Sequence, residues 1–372
     1  MEVRTAGTSR PADRLGYANE QMRTFVGRHR HVSVVLLLLV ILITCMVAAT
    51  AFGAVSIAFD DVLRMCWNKL SPFHFAATWP SGDETIILQL RLPRVMGGAL
   101  VGAALATAGV LFQGLLRNPM ADPYIIGTSA GAALGATIAM LLPLSMAFLG
   151  FGMVPVLAFG GAVGTVFLVY YLARVGGKTP IVNVLLAGFV VSAMLTALMF
   201  LIITTSDKLH PRVTSVYMFL MGGISVAGWG QIAIVAPIII GGIILARLWA
   251  FRLNAFALGE EGAAHVGIDV ERNKAWFLAL GSVLTAAAVS ISGLIGFVGL
   301  VIPHALRLLL GPDHRILLPS SALAGAAFLV IADMLARTLP SSGEIPVGII
   351  TALIGAPVFI YLLRRGGKEY AL

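Results

Sequence analysis

Two arginines flank a proline in Leu90-Arg91-Leu92-Pro93-Arg94, at the head of a run of small and apolar residues. That run stops at Arg117-Asn118-Pro119-Met120-Ala121-Asp122-Pro123. A guanidinium stays charged and grips carboxylates through paired hydrogen bonds, so Arg91 and Arg94 suit the recognition of acidic groups. Arg337 has the same capacity, although Asp333 lies one helical turn back and competes for it. Asp83, Glu84, Glu344 and lipid headgroups are alternative partners for these arginines. At the far end of the run, Asn118 offers a donor and an acceptor on a turn that Pro119 favours, and Met120 supplies a flexible apolar tip. Nothing here pairs a nucleophile with a base. Cys45 and Cys66 are too few for a disulfide scaffold or a Cys-based zinc site, so neither a catalytic nor a metal centre is expected.

A second stretch, about 254–270, is longer than a link between two helices requires. Leu258, Ala263, Ala264 and Val266 line one face of a short helix that Gly267 would end in a left-handed cap. Gly177-Lys178-Thr179 looks like the tail of a phosphate-binding loop, but Leu172 stands where its first glycine belongs, and no strand precedes it. Nucleotide chemistry is therefore not assigned to this chain. His304, between Pro303 and Arg307, is read as a histidine that satisfies a backbone carbonyl rather than one that moves protons.

The elements that position these residues are set by composition. Of 372 residues, 59% are hydrophobic and 11% charged, against about 25% charged in soluble domains. The mean hydropathy is +0.95. Water cannot solvate so much apolar surface and lipid can, so the fold class is an all-α polytopic membrane protein. Ten spans are predicted, near 32–54, 93–115, 124–142, 152–173, 180–203, 229–250, 274–292, 294–311, 316–337 and 345–363. They leave a basic tail at 1–31, a ten-helix transmembrane body at 32–365 and a short tail at 366–372. Residues 204–228 are expected to hold a short helix outside the bilayer. With both ends on one side, 18 of the 25 Lys and Arg fall on that side, which makes both termini cytoplasmic. Basic membrane flanks account for the formal charge of +8 without nucleic acid. Glycines spaced by four at Gly98/Gly102, Gly127/Gly131/Gly135 and Gly160/Gly164 are read as helix packing.

Taken together, the Arg-Leu-Pro-Arg helix, the Asn-Pro turn and the run Ser292-Gly293-Leu294-Ile295-Gly296-Phe297-Val298-Gly299-Leu300-Val301-Ile302-Pro303-His304 resemble FecCD-type permeases. These are membrane subunits of type II ABC importers, which take up iron-siderophore complexes, haem and cobalamin. Glu261-x-Ala263-x-x-x-Gly267 resembles the coupling motif of such permeases, with Gly262 in place of the usual alanine.

The resemblance implies a homodimer in the bacterial or archaeal plasma membrane, two cytoplasmic ABC ATPases holding ATP and Mg²⁺, and an extracytoplasmic substrate-binding protein. The chain itself would be a transport subunit that binds no cofactor. Arg91, Arg94 and Arg337 would dock the binding protein. Leu258, Gly259, Glu261, Ala263, Ala264 and Gly267 would couple to the ATPase. Asn118, Pro119, Met120, Ile181, Val182 and Asn183 would form the cytoplasmic gate. The cargo order it suggests is iron-siderophore, then haem, then cobalamin. The rival class is a secondary transporter driven by an ion gradient, which would favour intramembrane carboxylates or unwound helices; neither is evident.

Overall fold

The computed structural model describes residues 32–53, 55, 57–73, 75, 76, 79–142, 151–340 and 343–366. The tails at 1–31 and 367–372 and His74 lie outside them. Ten apolar helices are found among the described residues, seven of them long and apolar enough to cross a membrane and three with shorter apolar stretches. In chain order the helices are α1 (Val32–Ala51), α2 (Phe59–Leu70), α3 (Ser81–Leu115), α4 (Thr128–Leu141), α5 (Met153–Ala173), α6 (Ile181–Thr205) and α7 (Val213–Met221). There follow α8 (Trp229–Leu248), α9 (Ala250–Phe256), α10 (Gly259–His265), α11 (Val270–Ser292), α12 (Val298–Leu310), α13 (His314–Thr338) and α14 (Val347–Gly366). Helices α2, α7, α9 and α10 are the short pieces between the apolar ones.

Helices α3, α11 and α13 form the centre, and α12 and α8 also pack against α3. Of the most apolar window of α3, 83% is buried, against 17% for α6 and 11% for α1. The sequences explain the difference. Small residues on α3 let neighbouring backbones come close, whereas α6 carries the large side chains Phe189, Val190 and Met194 on an outward face.

Glycine is required where backbones touch. A Cβ at Gly102 would stand 2.2 Å from the Gly325 carbonyl oxygen, and one at Gly109 would stand 1.9 Å from that of Gly299. Gly131 and Gly135 meet α5 in the same way. Gly160 and Gly164 do not: nothing lies within 4 Å, and Gly161 makes the contact with α4 instead. Gly127 precedes its helix in a left-handed conformation, with φ +90°. Gly109→Val is therefore expected to lower thermal stability by about 1–3 kcal/mol or more through overpacking. Gly160→Val should be near neutral in the same detergent melts.

Two span limits differ from the sequence reading, each for a physical reason. Pro93 does not open its helix. The helix starts at Ser81 and passes through a π-helical turn at Ile86–Arg91 before Pro93. Proline lacks an N–H and its ring clashes with the carbonyl four residues back, so a widened turn is how a helix carries it. The Leu92 N–H reaches back five residues to Ile87. The Leu88 carbonyl, in register with the missing Pro93 donor, accepts from the Trp229 indole at 2.8 Å instead.

The eighth span is also shorter than expected. Residues 293–297 are not helical, and Phe297 enters α12 with φ +69°. Gly293 and Gly296, three residues apart in the predicted span, thus lie outside a helix, and Gly299, three further on, is the one that falls within α12. Gly299 packs against Pro123 and the Leu105 carbonyl. The short helix expected within 204–228 is α7. It is packed onto the bundle, because the Leu294 N–H bonds the Phe219 carbonyl at 3.0 Å and the Gly223 N–H bonds that of Ser292 at 2.7 Å.

Candidate functional site

At one end of the bundle three arginines converge. Arg94 is ion-paired to Asp333 (Nη2–Oδ1 2.9 Å) and to Glu344 (Nη2–Oε2 2.9 Å). Arg337 donates from Nε to the other Asp333 oxygen at 3.0 Å. Asp333 is 2% exposed, so two guanidinium groups neutralise one buried carboxylate.

Arg91 sits beside this cluster and points elsewhere. Its guanidinium donates to the carbonyls of Ala51 (2.9 Å), Thr50 (3.3 Å) and Val55. Arg337 reaches the Ala49 and Phe52 carbonyls at 3.1 and 3.5 Å. The carbonyls of Ala49, Thr50 and Ala51 end α1, where the last turn has no intrahelical partners and cations are favoured, and those of Phe52 and Val55 follow it. Arg91 and Arg337 are buried. In this conformation they close the C-terminus of α1, and Arg94 is the member of the trio with an accessible side chain, at 21%. The competing claims of Asp333 on Arg337 and of Glu344 on Arg94 are both met. Two cavities of about 550 and 700 Å³ adjoin the cluster and share Arg94 and Glu344 as lining.

The Glu344 carboxyl lies in the loop before α14. The hydrogen bond from Arg94 holds it below the usual carboxylate range, against a smaller opposing effect of burial. A carboxylate whose folded value is depressed contributes stability above its unfolded value, and loses it as pH falls through the folded one. The melting difference between wild type and Glu344→Gln is therefore expected to stay constant down to about pH 4.3, the unperturbed glutamate value, and to shrink only below it.

The opposite end carries the remaining residues. Helix α10 is a two-turn helix over Gly259–His265, with Gly259 (φ +88°) before its body and Gly267 (φ +83°) after it. Both take the left-handed conformation that glycine adopts without strain. Ala263 is fully buried and anchors the helix. Leu258, Glu261, Ala264, Val266 and Gly267 are exposed, Leu258 to 66% and Val266 to 60%. An apolar rim on a polar loop is thus offered outward.

The Asn118-Pro119-Met120 turn lies at the same end, where Arg117 of the turn approaches Gly259. Asn118 Oδ1 accepts the Met120 N–H at 2.9 Å, which builds the turn and leaves Met120 exposed. Asp122 accepts the Tyr124 N–H at 2.8 Å, while burial pushes its carboxyl up. Ile181, Val182 and Asn183 form the first turn of α6, with Val182 64% exposed. Gly177-Lys178-Thr179 closes a tight turn through paired hydrogen bonds between Val175 and Lys178, not a phosphate loop.

His304 differs from the reading given to it. It is buried, its Nδ1 has no hydrogen-bond partner among the described residues, and its ring packs edge-on to Phe359. Sequence reasoning also passed over Gln113, which is buried. Gln113 donates to the Leu300 and Gly299 carbonyls at 3.1 and 3.3 Å and accepts from Arg307 at 2.9 Å. It satisfies carbonyls in the first turn of α12, where that of Gly299 lies four residues before Pro303, which has no N–H to give it. An amide on an otherwise apolar helix was the available signal.

A model of the FecCD transport family matches residues 38–365. The chain belongs to that family. It is 46% identical over 295 residues to the cobalamin import system permease protein BtuC of Halobacterium salinarum, covering 79% of this chain and 77% of the relative. It is 37% identical to the hemin transport system permease protein HmuU of Yersinia pestis, covering 89% and 95%. A solved ABC transporter of metal-chelate type, in an inward-facing conformation, superposes with a TM-score of 0.76 at 30% identity, covering 90% of this chain and 99% of that one. This FecCD protein is accordingly a membrane permease of ABC importers, a transport subunit built from apolar helices.

Proposed function

We propose that two copies of this chain form a path that carries a metal chelate into the cytoplasm. A binding protein would deliver cargo at the Arg94 end, and two ATPases would drive the path from the α10 end. Both termini would then be cytoplasmic, in agreement with the distribution of Lys and Arg. The reading rests on one observation: a short helix with an exposed apolar rim lies at the bundle end opposite a surface arginine–glutamate pair. Separate partners can thus act on opposite faces of the membrane. Access would alternate as the ATPases bind and hydrolyse ATP, with Asn118–Met120 and Ile181–Asn183 forming the inner gate. Among cargoes, the relative named for cobalamin puts that chelate first in order of testing, followed by haemin and ferric siderophores.

Proteoliposomes test this directly. Uptake should require ATP inside, the cognate ATPase and the loaded binding protein; uptake driven by a proton gradient alone would exclude the mechanism. For the docking face, Arg94→Gln should weaken binding-protein association about tenfold and flatten its salt dependence, as removal of an interfacial charge does. Arg91 and Arg337, being buried, would act through the shape of that face. Unchanged affinity and salt slope for Arg94→Gln would remove Arg94 from the docking site.

A further inference from the structure

Lys274, near the start of α11, is 2% exposed, and all three of its donors are used. Its Nζ donates to Glu260 of α10 at 2.7 Å, to Glu271 at 3.0 Å and to the Thr179 carbonyl at 3.1 Å. The second oxygen of Glu271 accepts the Thr179 N–H at 2.7 Å. The two peptide groups of Thr179 are therefore gripped from both sides by the first turns of α11. Two residues later, after Pro180, α6 begins. A buried ammonium is costly unless fully partnered, so an apolar side chain would serve equally well if stability were all that the site supplied.

We propose that Lys274 is the positioning residue that transmits displacement of α10 to the first turn of α6, where Ile181, Val182 and Asn183 stand. The proposal rests on reading α10 as the ATPase contact. Glu260 joins α10 to the ammonium, and the Thr179 carbonyl joins the ammonium to α6. A movement of α10 that carries Glu260 with it must drag Lys274 or break a charge-assisted bond. Because Glu271 ties the Thr179 N–H to the same helix turn, the turn at 174–180 follows as a unit. Glu260 is 43% exposed and its neighbour Glu261 also supports the helix N-terminus, so the link to α10 can be cut at Glu260 without emptying the core.

The experiment uses proteoliposomes holding the permease, its ATPase and its loaded binding protein, and reads cargo moved per ATP hydrolysed. Losing a charge-assisted hydrogen bond, at about 1.5–3 kcal/mol, corresponds to at least a roughly tenfold fall in that ratio for Glu260→Ala and Lys274→Met. Stimulated ATP hydrolysis should stay close to wild type, and Lys274→Arg should restore much of the ratio. Spin labels on cysteines placed at His265, an exposed residue of α10 outside the proposed contact, and Val182, in a background lacking Cys45 and Cys66, give the second readout. In Glu260→Ala the label at 265 should still respond to ATP while that at 182 no longer does. Parallel loss of uptake and hydrolysis would reduce Lys274 to a structural role, and a wild-type response at 182 would overturn the proposal. The underlying reading fails separately: if Leu258→Asp leaves ATPase binding untouched, α10 is not the contact at all.

Discussion

Asp333→Asn is expected to destabilise the permease by about 3–5 kcal/mol, the usual cost of removing one partner from a buried ion pair. Asp333 is the carboxylate between Arg94 and Arg337, with each guanidinium within 3.0 Å of one of its oxygens. Arg337 also holds the last carbonyls of α1, and Arg91 holds others beside them. Asparagine keeps the shape but loses the charge. Arg337 is then a buried cation facing its like-charged neighbours, and α1, of which little else is buried, loses the group that orients its anchor. The sharper test is Asp333→Asn combined with Arg337→Met. The double variant loses the donors to the α1 carbonyls but creates no buried cation without a counter-charge, since Arg94 keeps Glu344, so it should melt above Asp333→Asn. A single variant melting within a degree of wild type would show that Asp333 does not carry this cluster.

Much of this architecture was readable because lipid imposes a simple rule. A helix must satisfy its own backbone and be long and apolar enough to cross; among the described residues seven of the ten windows became helices of that kind and the other three became shorter apolar helices. The rule is silent where backbone is irregular. Pro93 looked like a first-turn proline, since the sequence does not announce a π turn, and the waiting Trp229 donor lies far along the chain. Gly293 and Gly296 kept a helix-like spacing although the chain there is non-helical and packed against α7.

For the candidate site, local features were legible and long-range ones were not. The short helix over Gly259–His265 and its closing Gly267 follow from residues adjacent in sequence. The i, i+4 pair of Asp333 and Arg337 did too. That Arg91 would turn to α1, some 40 residues away, depends on how three helices meet. Lys274 belongs to no motif in the sequence. Its partner Glu271, three positions back, was the local signal, but Glu260 and Thr179 come from other elements.

Leu258→Asp should abolish ATP-driven uptake while leaving the permease folded. Leu258 is 66% exposed and stands immediately before α10, so its side chain contributes little to the fold. In the proposed complex the same side chain would be buried in an ATPase groove. Burial of a leucine is worth about 1.5–3 kcal/mol, and an unpaired carboxylate in its place adds a desolvation cost on top. The sum corresponds to a loss of ATPase affinity of at least about a hundredfold. Ala264→Asp, on the same exposed rim, should act alike, whereas Ala263 is fully buried and its replacement would disturb the fold and decide nothing. Co-purification with the ATPase gives the affinity, and detergent melts confirm that the variant is intact. A Leu258→Asp permease that retains its ATPase and its uptake would leave the α10 rim without a function and move the motor contact elsewhere on this face.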